Sequence, residues 1–272
     1  METVIYAVSV LTGVGAAAAV LLIIADRFMH VKSDTRTEEL RSVLPGANCG
    51  GCGYAGCDDY ASAVASGKAE IGLCVPGGDA ASVAMSRIMG ISGPATDVEE
   101  KVAVVRCRGT LGNTLNKYDY KGVESCAAAS MMFSGNSACI YGCLGLGDCS
   151  RACMFDAIKV VDGAAVVDQD KCTGCGMCAK VCPKQIIDVL PLGRRAVVQC
   201  RNHDKGAALR KYCKVGCLGC GLCEKACKFG AVKVTDGLAF VDTEKCKACG
   251  ACIRACPTGA IGMIVNEQNI LS

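Results

Sequence analysis

Cys246-Lys247-Ala248-Cys249-Gly250-Ala251-Cys252-Ile253-Arg254-Ala255-Cys256-Pro257 has the spacing C-x2-C-x2-C-x3-C-P. Four thiols packed this closely fit a cage for a cubane iron–sulfur cluster, three binding one cluster and the fourth reaching across to a second. The small residues Ala248, Gly250 and Ala251 let the backbone wrap a cluster and aim amides at its sulfides. A structural zinc site would want two separated C-x2-C knuckles. Disulfides do not fit, because neighbours this close cannot all pair.

The stretch recurs 74 residues earlier as Cys172, Cys175, Cys178, Cys182 and Pro183. The same offset carries Cys126, Cys139, Cys143, Cys149 and Cys153 onto Cys200, Cys213, Cys217, Cys223 and Cys227. Two cysteines break the register: Cys220 stands where the first copy has Leu146, and Cys107 has no partner at that offset. A fixed period this long means a duplicated unit, here a two-cluster ferredoxin. A second alignment competes upstream. Residues 101–106 read as a strand running into Cys107, and residues 196–199 as a strand running into Cys200. Local context therefore pairs Cys107 with Cys200, where constant offset pairs Cys126 with Cys200. The residues leave both open.

The chain has 272 residues, 24 of them Cys and none Trp. Such a chain builds little core from large side chains, so clusters are expected to serve as core and folding to be coupled to metal loading. Reduced thiols in cluster motifs point to a reducing cytosol. The formal charge of +3 counts cysteines as neutral. Six oxidised cubanes at about −2 each bring the loaded protein to about −9. The basic pI is therefore no argument for nucleic acid, and no basic run with interleaved aromatics occurs.

From the N-terminus, Thr3 to Ala25 carry no charge over 23 positions, long enough to span a bilayer once. A cleaved signal peptide is the weaker reading, since Glu2 and no Lys or Arg precedes the run. Arg27, Lys32 and Arg36 follow it, which places the N-terminus outside and the rest in the cytoplasm. Gly13, Gly15 and Ala16 to Ala19 give a small face suited to packing on another membrane helix. A helix is expected over Thr37 to Val43. Cys49, Cys52, Cys57 and Cys74 then form C-x2-C-x4-C-x16-C, a cubane site within one segment, with a helix over Asp58 to Gly67. Gly77-Gly78 and Gly90 to Asp97 read as an exit linker. Residues 157–161 with 164–167, and 231–234 with 238–241, read as hairpins around Asp162-Gly163 and Asp236-Gly237. Short helices are expected after Cys149, Cys178, Cys223 and Cys252.

Ligand sets follow. The first domain uses Cys49, Cys52, Cys57 and Cys74. The second module uses Cys217, Cys220, Cys223 with Cys256, and Cys246, Cys249, Cys252 with Cys227, exchanging the fourth cysteine. The first module uses Cys172, Cys175, Cys178 with Cys153. Its other set has Cys143, Cys149 and Cys182 but lacks a ligand at Leu146, and Cys139, one helical turn before Cys143, is expected to substitute. Cys107, Cys126, Cys200 and Cys213 remain for a sixth cluster, or as ordinary buried cysteines. At least five 4Fe–4S clusters are thus expected, and six would use every thiol. No dinucleotide fingerprint or P-loop appears, and no acid–base pair or activated nucleophile. His30 and His203, the only histidines, read as surface residues. The chain is expected to move electrons and to have no catalytic residue of its own.

The uncharged N-terminal helix, then Leu44-Pro45-Gly46-Ala47-Asn48-Cys49-Gly50-Gly51-Cys52-Gly53-Tyr54-Ala55-Gly56-Cys57 with Cys74, then ferredoxin motifs, resembles the RnfB family, one of the subunits of the Rnf complex, an ion-translocating ferredoxin:NAD oxidoreductase. The likeness covers essentially the whole chain, in a long clostridial form with two ferredoxin modules. It implies that electrons from soluble ferredoxin enter here, pass to membrane and flavin-bearing subunits, and reach NAD elsewhere, driving sodium ions or protons outward. The expected protein is α+β, single-pass in the cell membrane. Its parts are a transmembrane helix (1–26), a 4Fe–4S domain (27–92) and ferredoxin modules at 93–195 and 196–272. An anchored polyferredoxin serving a hydrogenase or reductase, and a non-redox metal scaffold, are the competing readings.

Charge distinguishes the two copies. Residues 139–192 carry five Lys/Arg and six acids, hence −1, and residues 213–266 carry seven and four, hence +3. Bacterial ferredoxins are typically acidic, as the resemblance implies, so the second module, with Lys225, Lys228, Lys245 and Lys247 beside its ligands, is the expected docking site.

Overall fold

The two Asp-Gly pairs turn the chain back on itself. Asp162 and Gly163 have φ of 48° and 78°, Asp236 and Gly237 of 50° and 76°, the left-handed values that a tight hairpin requires at both central residues. The computed structural model describes residues 2–29, 35–91, 100–193 and 195–264. Among these, helices are α1 (Glu2–Met29), α2 (Thr35–Ser42), α3 (Cys57–Ala65), α4 (Gly78–Met89), α5 (Cys126–Met131), α6 (Asp148–Arg151), α7 (Met177–Lys180), α8 (Gly206–Leu209), α9 (Leu222–Ala226) and α10 (Ala251–Ala255). Strands are β1 (Lys101–Val105), β2 (Ile158–Val161), β3 (Ala164–Val167), β4 (Ile187–Pro191), β5 (Arg195–Val198), β6 (Val232–Thr235), β7 (Leu238–Val241) and β8 (Ile261–Ile264).

The strands form four antiparallel pairs. Hairpin β2–β3 runs from Ile158↔Val167 to Val161↔Ala164, and hairpin β6–β7 from Val232↔Val241 to Thr235↔Leu238. The other two pairs join the ends of each module. β1 lies on β4 from Lys101↔Pro191 to Val105↔Ile187, and β5 on β8 from Arg195↔Ile264 to Val198↔Ile261. Sequence reading located β1 and β5 but not their partners, because Ile187–Pro191 and Ile261–Ile264 are short apolar runs without a turn of their own.

This pairing decides the alignment. β1 leads into Cys107 as β5 leads into Cys200, so these two cysteines are equivalent. Cys107 precedes Cys139 by 32 residues and Cys200 precedes Cys213 by 13, so the first copy is 19 residues longer here. The extra length carries α5 and Cys126. The numerical match of Cys126 to Cys200 is a coincidence of that insertion.

Each module has a core built partly of cysteine: Ala103, Val105, Cys149, Ile158, Cys178 and Ile187 in the first, Val198, Cys217, Cys223, Val232, Cys252 and Ile261 in the second. Alternation along β1 serves two cores. Ala103 and Val105 face the first module, while Val102 and Val104 meet Val197 and Ile264 at a junction between modules.

The N-terminal cluster domain packs α2, α3 and α4 around Leu40, Tyr60, Val64 and Met85. α4 corrects the reading of Gly77-Gly78 as linker. Gly77 is there for close approach: a Cβ on it would lie 2.7 Å from that of Ala81 and 3.2 Å from Cys74 Sγ. The linker at Gly90 to Asp97 falls mostly outside the described residues, as do His30 and Lys32.

α1 is one 28-residue helix in which Ile5, Val14, Leu21, Leu22 and Ile23 are exposed. Counted over the described residues, no helix is long and apolar enough to cross a membrane, so the expected span is not carried by the fold.

Candidate metal centres

Cavity linings and close neighbours bring the cysteines together in sets. In the N-terminal domain, Cys57 opens α3, and its N–H donates to Asn48 Oδ1 at 2.8 Å. Tyr60, fully buried, donates its hydroxyl to the Glu70 carbonyl at 2.9 Å and accepts from the Leu73 N–H at 3.2 Å. That pair of bonds holds the loop that brings Cys74 back to Cys49, Cys52 and Cys57. Burial, then the nearby Cys57, Cys49 and Cys52, push the Cys74 thiol up.

In the modules, each cysteine loop feeds a short helix through a left-handed glycine: Gly147, Gly176, Gly221 and Gly250, with φ between 71° and 81°. The loops also dock on the hairpins. A Cβ on Gly145 would lie 2.5 Å from the Gly163 carbonyl oxygen, and one on Gly219 2.5 Å from that of Gly237.

Cys153, Cys172, Cys175 and Cys178 line one cavity, and Cys217, Cys220, Cys223 and Cys256 another. Cys252 has Cys246 and Cys227 as neighbours, and Cys249 belongs to the same loop. As ligand sets these belong to the proposed function. Two cysteines are placed differently from expectation. Cys126, not Cys139, lines the cavity with Cys143, Cys149 and Cys182. Cys139 lies instead with Cys107, Cys200 and Cys213. The cause is the insertion. Ser125 caps α5, and Asp148 accepts from Ser125 Oγ and the Ala127 N–H, both at 3.0 Å. Arg151 donates to the Glu124 carbonyl at 2.7 Å. These bonds hold Cys126 against the loop that lacks a cysteine at Leu146.

Backbone amides point at the sulfurs. Ala103 donates to Cys172 and Ala260 to Cys256, each at 3.3 Å, and Ala157 to Cys153 and Ala239 to Cys217, each at 3.4 Å. Such bonds lower the charge density on a thiolate and favour the reduced cluster. Burial pushes Cys107 and Cys149 up to about 12, and Cys178 and Cys223 up to about 11. At Cys256 burial acts upward but hydrogen bonds from Thr258, Ala260 and Gly259 outweigh it, and the thiol is lowered. Bare thiols raised this far hold their protons at neutral pH, so taking up iron releases protons.

Among the described residues no three His, Cys, Asp or Glu side chains converge on a single metal ion. A cubane spreads its thiolates wider than one ion does, and four of the groups surround cavities of about 320, 330, 380 and 410 Å³, partly open to solvent. The small residues, amide donors and four-thiol sets fit such a cluster.

The centres also touch one another. A Cβ on Gly51 would lie 3.0 Å from the Cys175 carbonyl oxygen, and Lys180 Nζ donates to the Gly50 carbonyl at 3.1 Å. Cys49 and Cys175 are thus neighbours across the two domains. Cys149 has Cys178 as a neighbour within the first module.

Fold and cysteine placement define a multi-cluster iron–sulfur protein. Residues 44–76 match a family described as an Fe–S cluster, and residues 165–188 and 239–262 each match the 4Fe-4S binding domain. Over 248 residues the chain is 41% identical to the RnfB subunit of the sodium-translocating ferredoxin:NAD(+) oxidoreductase complex of Acetobacterium woodii, covering 91% of this chain and 74% of that one. It is 41% identical over 243 residues to the RnfB subunit of the ion-translocating oxidoreductase complex of Methanosarcina acetivorans, covering 89% and 91%. The counterpart from the proton-translocating ferredoxin:NAD(+) oxidoreductase complex of Clostridium ljungdahlii is 40% identical over 248 residues, covering 90% and 87%. The chain belongs to the RnfB family of the ion-translocating Rnf oxidoreductase complex. It is an electron-transfer subunit with 4Fe–4S centres, working with the other subunits of that complex.

Proposed function

We propose that this subunit accepts electrons from reduced soluble ferredoxin at its second module and conducts them through 4Fe–4S clusters toward the N-terminal cluster domain. From there they pass to membrane and flavin-bearing subunits and to NAD, with sodium ions or protons moved outward. Five clusters carry the reading: Cys49, Cys52, Cys57 and Cys74; Cys153, Cys172, Cys175 and Cys178; Cys126, Cys143, Cys149 and Cys182; Cys217, Cys220, Cys223 and Cys256; and Cys227, Cys246, Cys249 and Cys252. The observation that supports the direction is the exposure of Cys249 and Cys220. Lys225, Lys228, Lys245 and Lys247 around this end are exposed as well. A cluster must lie near the surface to exchange electrons with a diffusing partner, and lysines attract an acidic one.

The 23 uncharged positions from Thr3 to Ala25 support an anchor at the membrane, with the N-terminus outside and the cluster domains in the cytoplasm. The division at residues 26, 92 and 195 belongs to the same proposal. The test is ferredoxin-dependent NAD reduction by the intact complex in sealed vesicles. Reduction by ferredoxin, with the modules resistant to protease added to right-side-out vesicles, is the expected result. Reduction by another donor only, or digestion of the modules, overturns it.

A further inference from the structure

Cys107, Cys139, Cys200 and Cys213 lie outside both segments matched as 4Fe-4S binding domains, yet they line one cavity of about 410 Å³. That is as large as the cavities of about 320–380 Å³ ringed by cysteines of the modules themselves. The set draws equally on both copies. Cys107 and Cys200 are equivalent, each following the first strand of its module and each accepting from the N–H two residues on, from Gly109 and Asn202, at 3.4 Å. Cys139 and Cys213 are equivalent at the 74-residue offset. The cavity lies between the two copies, is partly open to solvent, and is bordered as well by Cys143 of the neighbouring set. Cys139, Cys200 and Cys213 are 7, 7 and 8% exposed.

The surroundings are built for a negatively charged guest. Asn202, 1% exposed, donates its side-chain amide to Cys139 Sγ at 3.2 Å. Its orientation is fixed by Tyr212, whose hydroxyl lies 2.9 Å from Nδ2 and itself donates to Asp204. Arg106 and Arg201 line the same cavity and share Asp188. The walls are tied across the modules: the Leu115 N–H donates to the Tyr212 carbonyl at 3.0 Å and the Lys214 N–H to the Asn113 carbonyl at 2.9 Å.

We propose that Cys107, Cys139, Cys200 and Cys213 hold a further cubane iron–sulfur cluster shared between the modules, with Asn202 as the side-chain donor that sets its potential. The site joins the two halves of the electron path. The Cys143 N–H donates to Cys107 Sγ at 3.4 Å, and Cys143 belongs to the first module's inner centre. Cys217, of the second module's inner centre, donates its backbone N–H to Cys200. A cluster held by these four thiols would supply a one-electron relay between the inner cysteine sets of the two modules.

The inference rests on the five-cluster reading, and iron analysis separates the two. The full chain, reconstituted anaerobically with iron and sulfide, is expected to hold about 24 iron atoms at four per cubane. About 20 overturns the shared site alone, and far fewer overturns the five-cluster reading beneath it. Replacing Cys107→Ala with Cys200→Ala is expected to remove about four. Adding Cys139→Ala should then cost no further iron, whereas adding Cys126→Ala should damage a second cluster and give a three-iron EPR signal. No loss in the double variant, or further loss with Cys139→Ala and none with Cys126→Ala, overturns the ligand set. Asn202→Leu leaves every thiol in place and serves if those variants do not fold. It should keep all iron while lowering the midpoint potential of one cluster, and an unchanged set of potentials overturns the role of Asn202.

Discussion

The outermost centres of the two ferredoxin modules are copies of each other in opposite surroundings. In the first, Cys175 is half-buried under Gly51 of the N-terminal domain, and Phe155 is half-buried in its cavity wall. In the second, Cys249 is exposed and Phe229, the counterpart of Phe155, is 48% exposed. Duplication made two equivalent cysteine sets, and the N-terminal domain covers one of them. On the electron path proposed above, the symmetric pair therefore has one free end. The charge difference of four between the copies falls on the free end, where it can act on a partner.

The sharpest way to break the comparison is to remove what the first module added. Cys126→Ala should lower electron transfer between the ends of the chain by orders of magnitude and convert one cubane to a three-iron form. Pairing it with Leu146→Cys restores the motif of the second copy, and iron analysis should show the cubane recovered. Failure of that rescue would mean the two loops are not equivalent. Next in size, replacing Lys225, Lys228, Lys245 and Lys247 with Gln should slow reduction by ferredoxin about tenfold at low salt and flatten its salt dependence. Stopped-flow rates against ionic strength test this. A larger effect from Lys171, Lys180 and Lys184 would reverse the assignment of the free end.

Gly51→Phe should make the ends more alike, since its side chain must lift the N-terminal domain off Cys175. The expected reading is a several-fold faster chelation of iron from that centre, with the Cys249 centre unchanged. Lys180→Met is the mildest change. It removes the bond to the Gly50 carbonyl and should weaken domain docking by about 1 kcal/mol, measured as faster amide hydrogen exchange at Gly51 and Cys52.

Much of this was legible without coordinates. The motifs from Cys172 and Cys246 bring three thiols together by spacing within a loop, while the fourth neighbour, Cys153 or Cys227, comes from outside it. The Asp-Gly turns specified the hairpins just as locally. Cys126 and Cys139 were not assignable that way. Both lie near the incomplete loop in sequence, and the choice depends on where a 19-residue insertion folds. The signal was Asp148, an acid where the second copy has Leu222, facing a Ser125 cap. The four thiols proposed as a shared site were half legible: three were left over by counting, and Cys139 was given to the loop lacking a cysteine at Leu146 because it lies one helical turn before Cys143 in sequence. Strands β4 and β8 were missed because their partners lie 82 or more residues away in β1 and 63 or more away in β5.

That long-range closure has a consequence for synthesis. The first strand of each module waits for its last, so nascent chain beginning at Lys101 has no partner until Ile187–Pro191 leaves the ribosome. Pairing this remote in sequence is slow, and at about 5–20 residues per second the wait lasts several seconds. During that interval the thiols of the first module stand open to oxygen and to cluster-delivery proteins alike. The N-terminal domain, with all four of its cysteines between Cys49 and Cys74, has no such delay. Folding of the chain is therefore expected to proceed from its N-terminus, with the cavity shared by Cys107 and Cys200 closing last.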